Sequence, residues 1–596
     1  QKFTRPQALI NTHIDFNLID GLVFKVAGYY RYNSLKFSDR RDAILGGGNP
    51  VASISNEYQS NWTLESTLNY NKKIGKHAFT GLLGYSSQKD YSEFSSLSGR
   101  GFPNDLSLTL NNASEISNWN ENINEWSLIS MFARATYGYD SRYLITASTR
   151  RDGSSRFGTN NKWGLFPSVS AAWNISNESF LRDNSIISNL KLRASYGKTG
   201  NNRIGNYRHY ATLANANAVL GSGEVLVSGL IPGGFENRDL TWERTATTNI
   251  GIDLGFLSDR INLSIDAYEA LTDDLLLSTP LPLTTGFSST ILNVGDVSNK
   301  GIEIELNTRN ITTSDFQWST TFNYSFNKNE VLKMGQNDAP IIDGEWYSRV
   351  SYTGVGEAIG SFYMWEADGI FQNEAEVEAG PIFKDEGVGD VRFKDQDGDG
   401  DVDEDDRKIV GQPMPKWQFG LTNNLSYKDF DFSIFINGSG GHQIYNAQAR
   451  YYDRASAADG NLMSRWADRW RSEVNPGDGI TPKISSTTGT NGTDEEQDAW
   501  LYDADWWRIK NITLGYNFPE TLLSKIKVSR LRVYVSADNL FLNTDYVGYN
   551  TEGVFAPGAA NRGANQTEAS ASGSWGYDFG TLPLPRTFAV GLNLTF

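Results

Sequence analysis

From Thr587 to Phe596 apolar and polar side chains alternate without interruption. Phe588, Val590, Leu592, Leu594 and Phe596 fall on one face; Thr587, Ala589, Gly591, Asn593 and Thr595 fall on the other. Successive side chains of a strand point to opposite faces, so this segment has one apolar wall and one polar wall. Its length is that of a tilted strand crossing a bilayer. The same pattern recurs in pairs. Ile14, Phe16 and Leu18 alternate with His13, Asp15 and Asn17, Asp20-Gly21 supplies a hairpin turn, and Leu22, Phe24 and Val26 answer on the return run. A strand through Trp62, Leu64, Leu68 and Tyr70 turns at Lys72 to Lys76 into Phe79, Leu83 and Tyr85.

Further pairs are Trp126 to Tyr139 with Tyr143 to Arg151, Thr241 to Phe256 with Arg260 to Thr272, and Gly301 to Arg309 with Gln317 to Asn327. Trp417 to Tyr427 pairs with Phe430 to Asn437, and Ile509 to Phe518 and Arg530 to Leu540 precede the last run. The pattern predicts an all-β transmembrane antiparallel barrel wall of roughly 16 to 17 strands. Connections of a few residues alternate with connections of tens, as short periplasmic turns and long extracellular loops do. Residues 449 to 473, with Trp466 and Trp470 four apart, read as a short amphipathic helix in one long loop.

Composition narrows the reading. No stretch approaches the roughly 18 continuous apolar residues of a membrane-spanning helix. A mean hydropathy of -0.45 fits a soluble β-protein and a barrel equally well. Aromatics at 13% and 57 glycines favour interfacial girdles and many turns. The chain has no cysteine, which removes disulfides, thiolate metal sites and cysteine catalysis. Its net charge of -17 leaves no basic stripe for phosphates, so nucleic acid is not an expected partner.

One motif carries sharp chemistry. The run from Asp395 to Asp406 fits the twelve-residue calcium loop: Asp395, Asp397 and Asp399 take its first, third and fifth positions, and Gly400 the sixth, where the turn is sharpest. Asp401 would offer its carbonyl, Val402 would point into a core, Asp403 would act directly or through water, and Asp406 would close the loop. Calcium is therefore the expected cofactor, with a structural role in an external loop. Asp406 replaces the usual Glu, and its shorter arm reaches with fewer oxygens. Other chemistry is thin. His13, His77, His209 and His442 are scattered, Gly197-Lys198-Thr199 lacks the glycine that a phosphate loop needs at position 192, and no serine sits in a Gly-x-Ser-x-Gly elbow. No carboxylate pair is singled out for glycoside hydrolysis.

Tyr139 to Phe157 and Trp163 to Trp173 closely resemble the mid-barrel signature of SusC/RagA-type TonB-dependent transporters. So do Asp20 to Phe24, Leu192 to Asn201, Ile359 to Tyr363, the acidic loop running into Gly411 to Trp417, Ile509 to Tyr516 and Pro585 to Phe588. The resemblance extends along essentially the whole chain. It implies a barrel of about 22 strands, preceded by a plug domain and a TonB-contacting segment. On that pattern residues 1–596 begin several strands into the barrel, with the plug and about five strands outside the chain.

The resemblance also implies non-enzymatic, TonB-powered import of oligosaccharides or peptides across the Gram-negative outer membrane, with a SusD-like surface lipoprotein capping the loops. Trp346, Tyr347, Trp466 and Trp470 are candidates to stack on sugars, against the plainer alternative of interfacial packing. Two rival readings stay open within transport: a siderophore-type receptor without the lipoprotein, and a component of a larger envelope assembly. A calcium-stabilised secreted adhesin or glycan hydrolase is the rival from another class.

Overall fold

The computed structural model describes residues 2–595 apart from 46–47, 107–108, 183, 221–224, 288, 344–348, 454–461, 486–491, 524–527 and 553–574. The chain divides into two compact units, one built from 1–173, 194–246 and 280–293, the other from 174–193, 247–279 and 294–596. The main sheet contains 18 strands, of which the three-residue Lys2–Thr4 is a short addition at one edge.

In the first unit an antiparallel ladder runs through Gln7–Ile19, Leu22–Arg41, Val51–Ile74, His77–Arg100, Glu115–Tyr139, Tyr143–Ser154 and Trp163–Asn174. In the second, the ladder runs through Ile261–Asp273, Asp296–Thr312, Phe316–Lys333, Trp417–Tyr427, Phe430–Gly440, Trp506–Asn517, Arg530–Thr544 and Thr587–Thr595. Each consecutive pair predicted from the alternation is found, in the predicted order. Several strands are far longer than ten residues, because pairing continues above the stretch a bilayer needs.

Turns on one side are two to four residues long: Asp20-Gly21, Gly75-Lys76, Asp140 to Arg142, Leu257 to Arg260 and Lys428-Asp429 among them. The turn expected over Lys72 to Lys76 is tighter than that, since Ile74 pairs directly with His77. Gly21 shows why its position excludes a side chain. Its φ is +78°, and a Cβ there would lie 2.2 Å from the Asn71 carbonyl oxygen. On the other side the connections include 334–416 and 441–505.

The wall has an exposed apolar face. Phe588 and Val590 are 72% and 79% exposed, and Ile14, Phe16, Leu83, Ile145, Leu165 and Ile250 are exposed as well. An apolar belt of this extent is stable only against lipid. The opposite face is polar and cross-linked. Arg193 forks onto Asp253 at 2.8 and 2.9 Å and onto Asp266 at 2.9 Å.

Buried apolar side chains gather instead in the long connections. In the second unit Phe362, Met364, Tyr445 and Tyr577 form the centre of a core with Val350 and Trp500. Ile341–Asp343, Ser351–Thr353, Ser361–Met364 and Lys408–Gly411 form a small four-stranded sheet beside it. In the first unit Phe157, Trp242 and Phe166 pack with ring centroids 4.9 and 5.3 Å apart.

The single helix expected over 449–473 is not formed. A six-residue helix, Ala447–Tyr452, and a separate 3-10 turn, Ser464–Asp468, flank residues outside the described set. The spacing of Trp466 and Trp470 serves another purpose. Trp466 is buried, its Nε1 donates to Asp453 at 2.7 Å, and the Arg465 guanidinium lies between the Trp466 and Trp500 rings. Trp470 lies against Gly389, where a Cβ would strike the ring at 2.6 Å. Both tryptophans are thus packing residues. Trp346 and Tyr347 lie outside the described residues.

Candidate functional site: a polar cavity and an acidic loop

A cavity of about 730 Å³ opens on the polar face of the second unit. Its floor is set by register. One cross-strand row runs Ser264, Glu305, Asn323, Gly420, Asn437, and the next runs Asp266, Glu303, Ser325, Gln418, Ser439. Period-two alternation puts both rows on one face of five consecutive strands. Gly420 keeps the floor low, since a Cβ there would meet the Asn323 side chain at 2.8 Å. The rim comes from loops, with Pro413, Pro415, His442, Thr551, Glu552 and Trp575 around Trp506.

The charges in this cavity are of one sign. Asp266, Glu303, Glu305 and Glu552 line it, and no lysine or arginine does among the described residues. Arg193 neutralises Asp266 and donates to the floor residue Ser264 at 3.1 Å, and Arg508 pairs with Glu552. Glu305 accepts only from the Asn307 amide, at 2.8 Å, and Glu303 has no basic partner among the described residues. Asp266 and Glu303 stand directly opposite each other across two strands. The Arg193 guanidinium on Asp266 offsets the repulsion between them. His442 is buried, and burial pushes its imidazole below the ordinary value of 6.5, so it is neutral at neutral pH. Its Nδ1 and the Asn437 Oδ1 lack hydrogen-bond partners.

None of these residues stands out along the chain. Those of the floor come from strands up to 175 positions apart in numbering, from Ser264 to Ser439, and only register assembles them. The one available signal was the acidic character of the polar face over Glu303 and Glu305.

The acidic loop is a second site, away from the wall. Ligand oxygens of Asp395, Asp397 and Asp399 lie within 4.8 Å of one another. Gly398 and Gly400 have φ of +79° and +93°, which lets the chain fold back under the carboxylates. Asp395 accepts from the Gly398 and Gly400 backbone at 2.6 and 3.0 Å, and Asp397 and Asp399 accept from Asp399 and Asp401 at 3.1 and 2.9 Å. The Asp399 N–H lowers the Asp397 carboxyl, but desolvation and then repulsion from Asp399, Asp406 and Asp395 leave it above its ordinary value.

Asp401 is exposed, and its side chain accepts from the Val402 N–H at 2.9 Å. Val402 is buried with Trp365, Phe383, Val391 and Phe393, as its place in the loop motif requires. Asp403 and Asp406 do local structural work. Asp403 accepts from the Asp405 N–H at 2.8 Å, and the buried Asp406 accepts from Gln396 and Asp403 at 2.6 and 2.7 Å, closing a capping box. Both ends of the loop are tied down. The Glu366 carboxylate takes the ammonium groups of Lys394 and Lys408, and these two contacts hold it down at about pKa 2.

Close by, Glu386 is buried with Asp390. Desolvation first, then the charges of Asp390 and Glu495, push its carboxyl up to about 8. Glu386 Oε1 and Asp390 Oδ1 are both without hydrogen-bond partners.

Residues 1–540 match the family model described as TonB dependent receptor-like, beta-barrel. The chain is 36% identical over 596 residues to TonB-dependent receptor P3 of Formosa agariphila, covering 98% of this chain and 58% of that one. It is 30% identical over 568 residues to TonB-dependent receptor SusC of Bacteroides thetaiotaomicron, covering 91% and 50%. The chain therefore spans about half the length of the relatives it matches. In fold it is similar to the structure of the RagAB peptide transporter, with a TM-score of 0.84 at 23% identity over all of this chain and 62% of that one. The family consists of Gram-negative outer-membrane receptors and transporters rather than enzymes, in keeping with the lipid-facing belt. The alternating strands, the uneven connections and the match over residues 1–540 converge: this chain belongs to the TonB-dependent receptor-like β-barrel family.

Proposed function

We propose that the protein to which this chain belongs imports large nutrients, oligosaccharides or peptides, across the outer membrane. The observation that carries the reading is the pairing of a lipid-facing wall with a polar cavity large enough for a few sugar or amino-acid units. The relative named TonB-dependent receptor SusC supports energy delivered through TonB, and on the SusC-type resemblance a SusD-like lipoprotein lies over the loops. Binding and gated passage suffice; no covalent step is required. The test is twofold. A deletion strain should lose growth on at least one glycan or peptide within a panel, and the full-length receptor should co-purify with an abundant surface lipoprotein. Normal growth on every panel member would sink nutrient import. A receptor isolated without a lipoprotein, and taking up chelated iron, would favour the siderophore-type alternative.

Within this reading the loop from Asp395 to Asp406 holds calcium as a structural ion. Asp395, Asp397 and Asp399 supply hard oxygens at one point and Asp401 a carbonyl, while Asp403 and Asp406 maintain the loop frame. Calcium titration of the full-length receptor should release heat, and D395N/D397N should abolish it. Equal heats from the parent and the double variant would remove the metal from the account.

A further inference from the structure

Register leaves a groove in the apolar face of the first unit. One cross-strand row runs Leu22, Tyr70, Gly81, Ala135, Ala147, and the next runs Phe24, Leu68, Leu83, Ala133, Thr149. Gly81 and the alanines lie low, the leucines and Tyr70 stand above them, and a groove of about 500 Å³ opens between. Tyr70 and Leu83, with Phe79 and Ile145 of the row below, are exposed, so the groove opens on the side that meets lipid. Its surroundings on that side are in place: Gln7–Ile19 pairs with the grooved strands at one border and Trp163–Asn174 at the other. The backbone does not require glycine at position 81. Its φ is outside the left-handed region, and a Cβ there would meet only the Tyr70 Cβ, at 4.0 Å. A strand glycine that neither turns nor crowds weakens the sheet, and such positions mark the close approach of a ligand.

Towards the short turns the face becomes aromatic and basic. Lys72, Phe79, Tyr137 and Ile145 form the row beside the groove, and Ile74, His77, Tyr139 and Tyr143 the last one, as at a membrane–water interface. Residues 20–21, 71–77 and 139–143 hold Lys72, Lys73, Lys76 and Arg142 against Asp20 and Asp140 alone. Lys72 pairs with Asp20 at 2.7 Å, while Lys76 and Arg142 share Asp140 at 2.8 and 3.4 Å. An apolar groove that ends at a basic interfacial band matches an acyl chain carrying an anionic head. We propose that the groove seats one acyl chain of an anionic phospholipid, with its phosphate over Lys72 and Lys76. The inference rests on the lipid-facing wall and is independent of any cargo.

The test uses the full-length receptor, purified in detergent and stripped of lipid. It is titrated with phosphatidylglycerol or with phosphatidylethanolamine of the same chains, and native mass spectrometry counts the lipids retained. One phosphatidylglycerol should stay bound per receptor, about tenfold more tightly than phosphatidylethanolamine. A135F/A147F fills the groove and should weaken that binding by about tenfold or more. K72Q/K76Q should remove the preference for phosphatidylglycerol and leave phosphatidylethanolamine binding unchanged. Val590→Phe adds the same ring elsewhere on the belt and should change neither. Unaltered heat-modifiable migration on a gel would show that each variant folds.

Retention by A135F/A147F equal to that of the parent overturns the proposal, and so does an equal loss in Val590→Phe. Equal binding of the two phospholipids, or tighter binding of lipid A than of phosphatidylglycerol, overturns it as well. A dimeric parent that A135F/A147F converts to a monomer would give the groove to a second copy of the receptor instead of a lipid.

Discussion

The wall and the loop core of the second unit obey opposite rules of burial. Along Thr587–Thr595 the large apolar side chains are the exposed ones, with Phe588 at 72% exposure. In the loop core Phe362, Tyr445 and Tyr577 have none. The wall is held by its backbone ladder and by ionic cross-links such as Arg193 with Asp253 and Asp266, and it relies on lipid to cover its apolar side. The loop core is a water-soluble protein interior built on top of a membrane structure, and it depends on close packing. Solvent therefore decides which residues matter in each: position relative to lipid in the wall, volume in the core.

The sharpest way to break that contrast is to delete volume in the core. Phe362→Ala should destabilise the loop core by about 3 to 5 kcal/mol, read as accelerated proteolysis and hydrogen exchange over 350–411, 443–453 and 492–504. The wall should keep its heat-modifiable migration. A change in the wall equal to that in the core would mean that the two regions fold as one cooperative block.

Next in size is a charge on the lipid side. Val590→Arg should cost about 2 to 4 kcal/mol if it sits near the bilayer midplane, measured by urea titration of refolding into liposomes. Asn593→Arg, on the opposite face of the same strand, should cost much less. Equal penalties would reverse the assignment of faces.

A pH-dependent difference follows from Glu386. Its folded carboxyl is held at about 8, above its ordinary 4.5, by burial and by Asp390 and Glu495, with Lys384 pulling the other way and Lys483 serving Asp390. The neutral form is the stable one in the fold. Its contribution is complete below about 4.5 and is lost as pH climbs through about 8, to a total of a few kcal/mol. Protection factors over 383–393, taken relative to the base-catalysed intrinsic exchange rate at each pH, should therefore fall from pH 5 to about 8.5 in the parent and stay flat in E386Q. An equally steep profile in E386Q would acquit Glu386. The smallest expected effect is Phe588→Ala, about 1 kcal/mol or less in liposomes, because lipid replaces the lost contact.

Much of the wall was legible in the sequence because a strand writes its two environments as period two. Ile14, Phe16 and Leu18 against His13, Asp15 and Asn17 need no tertiary information to be read. Asp20-Gly21 fixes the register of its hairpin locally. The mid-barrel motif also has a physical content that the fold displays. Asp152 accepts from Arg150 at 2.7 and 2.8 Å, and Gly153 stands where a Cβ would strike the Trp163 ring.

Loop packing was not legible, since its partners lie far apart in sequence. Trp466 and Trp470 mimic a helical face, yet Trp466 answers to Asp453, Arg465 and Trp500. The acidic loop was readable as a motif because its turns are local, including the inward Val402. The cavity was invisible for the converse reason: it exists only as a register between strands.

The Glu366 clamp gives the acidic loop a particular kind of independence. Lys394, directly before the twelve-residue run, and Lys408, two residues after it, are both anchored to one carboxylate. A segment whose two ends are moored at a common point can stiffen or slacken without pulling on what lies beyond the mooring. With its ends fixed, a change in the state of the loop has one way inward, through Val402 in its apolar cluster and the Trp365 indole that donates to the Asp403 carbonyl at 2.7 Å. Glu366 thereby sets the path by which this surface element can be felt beneath it.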